Sequence, residues 1–370
     1  MTRSFIIAAR RSAVAPRNGR LADLSLHDLA APVVTQALHD ASLAKSQVDE
    51  IIVSNALGAG GNPARVVALA AELPQTVAGL SVDRQCVGGL DALLIADAMI
   101  KSGQHDIVIA GGVESYSRRP LRYRTFADGS DPQPYEQAAF TPWADRDPDM
   151  ATAAHRLSEM LHIDQAKQDE WAIDSHRKAI ATAPEIKAAE IVKISGLNTD
   201  TFTRNLTPRH CSKAKTVHGS VTSANMAVAA DAAAFAIIVS EKIARHVTAP
   251  KVELLAGQTL GGDPACPGLA PVTAIEKVLA QTGMTPENLI TAEIMEAFAI
   301  QAIACQQGVR IPRQIVNPHG GSLARGHPIG ASGAILAVSL YHQLCRNPGC
   351  GLVAIAAAGG LGSALLARKL

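Results

Sequence analysis

The chain is poor in aromatic side chains: Phe, Trp and Tyr make up 3% of its 370 residues, although 48% are apolar. Its core must therefore be filled by Ala, Val, Ile and Leu, which suits helices packed closely against sheets. An excess of charge of one sign is also lacking, because 34 Lys and Arg offset 33 Asp and Glu to leave a net +1. That balance gives no electrostatic basis for binding nucleic acid or an anionic membrane surface. No apolar run reaches the roughly 18 to 20 residues that a membrane-spanning helix needs, so a soluble, cytoplasmic protein is expected. The six cysteines (Cys86, Cys211, Cys266, Cys305, Cys345 and Cys350) form no C-x-x-C pair, and no histidine cluster has ligand spacing. Zinc and dithiol motifs are missing, no metal is expected, and free thiols in a reducing compartment are the default. The Arg-rich start (Arg3, Arg10, Arg11, Arg17, Arg20) has the composition of a transit peptide. Phe5-Ile6-Ile7-Ala8 nonetheless reads better as a buried first strand followed by a basic loop.

The length exceeds one average domain and fits two sharing a core. Ala/Leu-rich helical segments alternate with short β-branched runs, the pattern of α/β layering. Strands are expected at 4–8, 50–54, 106–110, 235–239, 252–256, 291–294 and 351–356. Helices are expected at 25–40, 63–71, 88–102, 150–161, 165–181, 271–281 and 331–343. From Gly88 to Gly112 the chain reads as a long apolar helix, a turn and a strand ending in Gly-Gly, and Gly330 to Gly360 repeats that plan. An echo 248 residues apart indicates a duplicated domain, not a short solenoid repeat. Two such units would bury their sheets best by packing helix against helix at a common centre. Residues 116–143 differ in kind: they hold Tyr116, Tyr123, Phe126, Tyr135, Phe140 and Trp143, half of all the aromatics, among four prolines. This stretch reads as an irregular lid or pocket wall, with a dimer-contact loop as the alternative.

Two residues stand out chemically. Cys86 ends an extended run and is followed by Gly88-Gly89 and an apolar helix, which puts it at or near a helix N-terminus. There the helix dipole favours a thiolate and is expected to lower its pKa; on spacing alone a buried structural cysteine fits too. His327 lies in a Gly-rich loop-to-helix transition and is held by Pro328. Such an imidazole can serve as general base toward a thiol, though many loop histidines have no such role. Gly58-Ala59-Gly60-Gly61 and Gly359-Gly360-Leu361-Gly362 look like phosphate-cradling loops, but neither has the strand–loop–helix setting of a dinucleotide fold.

Taken in order, these segments resemble the thiolase family along essentially the whole chain. Ala8 to Val14 resembles its first strand and loop, and Asn62-Pro63-Ala64-Arg65 its N-P-A-R. Gly111 to Ser117 is close to its G-G-x-E-x-M-S, with Tyr116 at the methionine, and Val221 to Asn225 matches V-T-x-x-N. Glu296 to Ala299 sits at N-E-A-F-A, and Gly326 to Gly333 is its G-H-P-I-G-x-S-G unchanged. The resemblance implies a five-layered αβαβα fold of two similar halves. The first would span 1–250, with a loop domain inserted at about 115–220, and the second 251–370. It implies a coenzyme A thioester as substrate, no permanently bound cofactor, and a homodimer or homotetramer. It also assigns roles: Cys86 as nucleophile, His327 as its activating base, and the backbone N–H groups of Cys86 and Ala358 as the oxyanion hole. Met150 and Phe298 would line the pantetheine and acyl pocket.

Three positions depart from the pattern. Met295 stands at the family's Asn, which holds the water that stabilises the enolate. Ala356 stands at its second catalytic cysteine, which moves the α-carbon proton. Ala227 replaces a serine that contacts pantetheine. Two of the losses thus fall on the carbon–carbon step, while the groups that form an acyl-enzyme remain. Cys350 and Cys305 are not expected to substitute for the missing thiol. The expected function is an acyl-CoA-dependent acyltransferase of fatty-acid or related acyl-CoA metabolism, with that step altered or impaired. The alternatives are an ordinary thiolase with a substitute proton carrier, or a non-catalytic acyl-CoA-binding subunit. Arg118, Arg119, Arg122 and Arg124 offer a place for CoA phosphates, or simply form a solvated face.

Overall fold

Local chemistry sets the ends of the helices. Ser25 and Asp28 cap the first helix reciprocally, and Asn62 caps the second ahead of Pro63. Gly283, with φ of 65°, closes a later one in the left-handed conformation that favours glycine. The computed structural model describes residues 2–58 and 60–370, so Ala59 in the run 58–61 lies outside the described residues.

The first half of the chain supplies β1 (Ser4–Ser12), α1 (Leu26–Asp40), β2 (Glu50–Ser54), α2 (Pro63–Ala70) and β3 (Leu80–Val82). It continues with α3 (Gly88–Lys101), β4 (Ile107–Glu114), α4 (Met150–Met160), α5 (Gln165–Ala181) and β5 (Ala230–Ser240). The remainder supplies β6 (Val252–Gly261), α6 (Ala270–Thr282), β7 (Leu289–Ile294), α7 (Ala299–Gly308) and the single turn α8 (Ser322–Arg325). It ends with α9 (Ile329–Arg346), β8 (Gly349–Ala357) and β9 (Leu361–Lys369).

These strands, with short additions at Ala15–Pro16 and Ile191–Val192, form an 11-stranded sheet in the order β7-β8-β9-β6-β1-β5-β4-β2-β3. The plan is mirrored about its centre. β2 runs parallel to β4, which is antiparallel to β5, and β7 runs parallel to β8, which is antiparallel to β9. The halves meet where Phe5 pairs with Glu253 and Ile6 with Val252.

Alternation along β5 shows the layering. Ala232, Ala234, Ala236 and Ile238 face a central core with Leu90, Leu93, Ala334, Val338 and Ile355. Ala233, Phe235, Ile237 and Val239 face an outer core with Leu29, Val33 and Ile51. A third core joins Leu352 and Ala354 of β8 to Ile275, Val278, Ile300 and Ile303 of α6 and α7. The result is αβαβα, with α3 and α9 enclosed between the half-sheets. Glycine lets those two helices touch: a Cβ on Gly333 would lie 2.4 Å from Leu90 N, and one on Gly89 would lie 2.7 Å from Gly330 O.

The expected helix and strand centres are all present, though most strands run longer than expected. β9 was not anticipated. Residues 116–143 contain a small hairpin pairing Arg122–Arg124 with Gln133–Tyr135, so the stretch is less irregular than its prolines suggest.

Candidate active site

β3 delivers the chain to a tight turn, Gln85–Val87, from which α3 starts at Gly88. Gln85 has φ of 53°, an unusual conformation for a residue with a side chain, immediately before the cysteine. Glycine at 88 makes room for Ser54, because a Cβ there would lie 2.3 Å from Ser54 Oγ and force that hydroxyl to turn away.

The fold brings Cys86 and His327 together across 241 residues, with Sγ 3.2 Å from Nε2. His327 is held on both faces. Its backbone N–H donates to Val228 O at 2.7 Å, and its Nδ1 lies 2.7 Å from Ser332 Oγ. The Ser332 hydroxyl donates to Pro328 O at 3.1 Å, so it accepts from Nδ1–H. That network assigns the tautomer and leaves the Nε2 lone pair facing the thiol. Ser332 carries this role through the pairing of fold and helix turn, and the sequence alone did not single it out.

The electrostatics correct one expectation. Cys86 does lie just before a helix, but loss of water around it, with the carboxylates of Glu114 and Asp83 nearby, pushes the thiol up to about 12. Burial pushes His327 down to about 4. The resting pair is a thiol and a neutral imidazole, and the thiolate forms when His327 takes the proton.

Glu114 braces the site from behind. Its carboxyl group accepts from Asn55 Nδ2 at 2.7 Å and from the N–H groups of Ala56, Leu57 and Gly330 at 3.0, 3.2 and 3.0 Å. It thereby ties the end of β4 to the first turn of α9, and burial raises it to about 7. Glu296 plays a similar part, accepting from Trp171 Nε1 (3.0 Å), Ser175 Oγ (2.7 Å) and Asn317 Nδ2 (2.8 Å). Neither carboxylate's bonding was foreseen, although both residues lie in the motifs quoted above.

The other expected site residues are found as follows. Ala227 N donates to Ala297 O at 2.9 Å, and Met226 bridges to Phe298. Ala229 bridges to His327, so one extended segment joins the Phe298 corner to the base. Met150 opens α4, which packs beside α7, the helix that Phe298 precedes. β8 packs on the Cys86 turn; Ala356 lies near its end, and Ala358 begins the turn made by Gly359 and Gly360 at φ of 76° and 79°. Met295 is fully buried, and its sulfur accepts from Ser322 Oγ at 3.2 Å. Cys350 pairs with Leu289 at the opposite end of β8, and Cys305 is buried in α7 beside Gln301 and Gly268.

In the 116–143 segment, Phe140 comes over the second glycine turn, where a Cβ on Gly359 would lie 3.2 Å from its carbonyl oxygen. Arg119 pairs with Glu136, Arg122 donates to Ala56 O at 3.0 Å, and Arg124 lies over the Tyr135 ring.

Fold and site together define an acyltransferase: a duplicated α/β protein whose buried cysteine faces a histidine base beside a glycine turn. Two family models match, "Thiolase, N-terminal domain" over residues 4–242 and "Thiolase, C-terminal domain" over 248–369. The chain belongs to the thiolase family. A relative in Bacillus subtilis, provisionally named acetyl-CoA C-acetyltransferase YhfS, is 37% identical over 380 residues, covering 99% of both chains. Another provisionally named acetyl-CoA C-acetyltransferase, VraB of Staphylococcus aureus, is 34% identical over 381 residues with the same coverage. Among solved structures, an Ascaris suum thiolase (Acat5) in complex with coenzyme A matches with a TM-score of 0.92 at 28% identity, covering both chains completely. The Bacillus anthracis acetyl-CoA acetyltransferase matches with a TM-score of 0.93 at 30% identity, covering all of this chain and 99% of that one. Among the described residues, no helix is long and apolar enough to cross a membrane.

Proposed function

We propose that this protein transfers acyl groups from coenzyme A thioesters through an acyl-enzyme on Cys86, with its carbon–carbon step altered. The observation that carries this reading is the 3.2 Å contact between Cys86 Sγ and a histidine whose other nitrogen is committed to Ser332. Cys86 attacks the thioester carbonyl as His327 takes its proton, and the imidazolium returns that proton to the departing CoA thiolate. The N–H groups of Cys86 and Ala358 are the proposed oxyanion donors. Met150, Ala227 and Phe298 are the proposed contacts for pantetheine and the acyl chain.

Met295 and Ala356 support the altered step, since neither side chain can exchange a proton or hold a water as an amide does. A purely binding subunit would need neither the nucleophile nor its oriented base. We further propose a division into halves at 250/251, the inserted loop domain at about 115–220, a homo-oligomer, and a cytoplasmic setting consistent with six free cysteines.

Intact-protein mass spectrometry after brief mixing with acetyl-CoA and longer acyl-CoAs tests the reading. A gain of one acyl group that is lost in Cys86→Ala is expected. No adduct from any acyl-CoA, with CoA-ester binding still measurable, would sink the acyl-enzyme.

A further inference from the structure

His327 is the base of the Cys86 pair, and the positions offered by β8 and the end of β7 (Ala356, Ala358 and Met295) carry no exchangeable side-chain proton. One hydroxyl-bearing residue, Tyr116, stands on the remaining side. β4 pairs with β5 as far as Glu114, which stands opposite Ala232. The chain then peels away, and Ser117 N donates to the Asp231 side chain at 3.0 Å. His327 enters the vacated place beside β5, opposite Ala229, with its N–H on Val228 O. The other edge of β5 is already taken there, because Ala229 O accepts from Arg17 N at 2.8 Å. Tyr116 therefore lies on the short step where β4 leaves the sheet and the base enters it.

The Tyr116 ring is half-buried, with the Arg119 guanidinium 5.7 Å from its centre. Tyr341 commits its hydroxyl to Ile7 O at 2.8 Å, whereas Tyr116 is not among the residues with a buried, unpartnered polar atom, which leaves its hydroxyl free to meet water or substrate. Burial, followed by the charges of Cys86 and Glu114, raises this phenol above its ordinary value, so it stays protonated at physiological pH. A phenol held protonated can give its proton up in the cleavage direction, and the phenolate so formed takes one back.

We propose that Tyr116 is the second proton carrier of the site, serving as the acid when a 3-ketoacyl thioester is cleaved on Cys86. The inference rests on Cys86 being the acyl acceptor. Cys86 Sγ bonds to the keto carbon while its proton passes to His327 Nε2. The bond between that carbon and the α-carbon breaks, and its electron pair goes to the α-carbon. Tyr116 O–H gives its proton to that carbon, releasing acetyl-CoA and leaving the shortened acyl group on Cys86. The imidazolium then returns the thiol's proton to the phenolate. A CoA thiol finally takes the acyl group from Cys86, and its proton passes through His327 to the freed sulfur.

The test compares wild type, Tyr116→Phe and Tyr116→Met in two assays on the full chain. One is cleavage of acetoacetyl-CoA by CoA, and the other is acylation of Cys86 by acetyl-CoA followed by intact mass. Both variants are expected to lose about 10²-fold or more in cleavage while acylation changes by less than about threefold. Two variants of different shape guard against one that folds poorly, and acylation reports an intact site. Cleavage by either folded variant at the wild-type rate overturns the proposal. So does a wild-type protein that is acylated but neither cleaves acetoacetyl-CoA nor exchanges the α-protons of acetyl-CoA in D2O. Failure of wild type to acylate at all removes the acyl-enzyme reading itself, and the Tyr116 proposal falls with it.

Discussion

At the scale of single residues, the site depends on a neutral pair whose proton is moved on demand. With His327 near 4 and Cys86 near 12, the base is free at every pH above about 4, and the thiol holds its proton until His327 takes it. The sign follows directly: acid protonates Nε2 and removes the acceptor. Neither member of the pair is therefore expected to put a limb on the acylation rate of the free enzyme between about pH 5 and 9, and the rate falls away only as the pH approaches about 4. Within that range Glu114, raised to about 7, adds at most a modest step by changing the charge near Cys86. Rapid-quench acylation across that range checks it, and an acid limb centred near the ordinary histidine value of about 6.5 would mean that water reaches the imidazole. Cys86 and His327 were legible because each sits in a motif. Their hydrogen bond, the Ser332 contact and the place of Tyr116 where β4 leaves the sheet were not, since those depend on segments that meet only after folding. The thiol's upward shift was misread for the same reason: a helix start is visible in sequence, but the carboxylates and the dry surroundings are not.

At the scale of elements, α3 carries the nucleophile turn and α9 carries the base, so their crossing sets the reactive distance. Gly333→Ala would place a methyl group 2.4 Å from Leu90 N, and the backbone cannot yield as a flexible side chain would. A loss of about 1–3 kcal/mol in stability is expected from such overpacking, together with at least a tenfold slower acylation as Cys86 moves from His327. Urea midpoints and the adduct rate measure the two effects separately, and an unchanged adduct rate would show that the crossing does not set the distance. The sequence displayed these helices through apolar periodicity, and α5 at 165–181 matches its expected bounds. β9 escaped because Leu361-Gly362-Ser363-Ala364 lacks β-branched residues. Its small residues serve close packing, since a Cβ on Gly362 would lie 2.2 Å from Ala270 C, and that need is invisible locally.

At the scale of the molecule, the Gly-Gly echo announced a duplication, and the mirrored strand order agrees with it. The continuity of one sheet across both halves was not readable, because it depends on residues 5 and 6 meeting 252 and 253. The far end of that sheet, β3, is a free edge of three residues; Leu80 there is 37% exposed, and Val66 and Leu69 of neighbouring α2 are each 48% exposed. An uncovered edge with apolar neighbours suits pairing with a second copy. Light scattering is expected to give a multiple of the chain mass, and Leu80→Lys to shift it toward one chain. A wild-type monomer would count against the homo-oligomer.

The position of β1 bears on how the protein is made. Its sheet neighbours are Ile191–Val192, β5 and β6, all encoded far downstream of it. At about 5–20 residues per second, the ribosome needs about ten seconds or more to supply β5. Phe5-Ile6-Ile7-Ala8 spends that interval as an unpaired apolar strand, open to pairing with other chains. Folding yield in the cell should therefore depend on what shelters that nascent strand, as well as on the stability of the finished core.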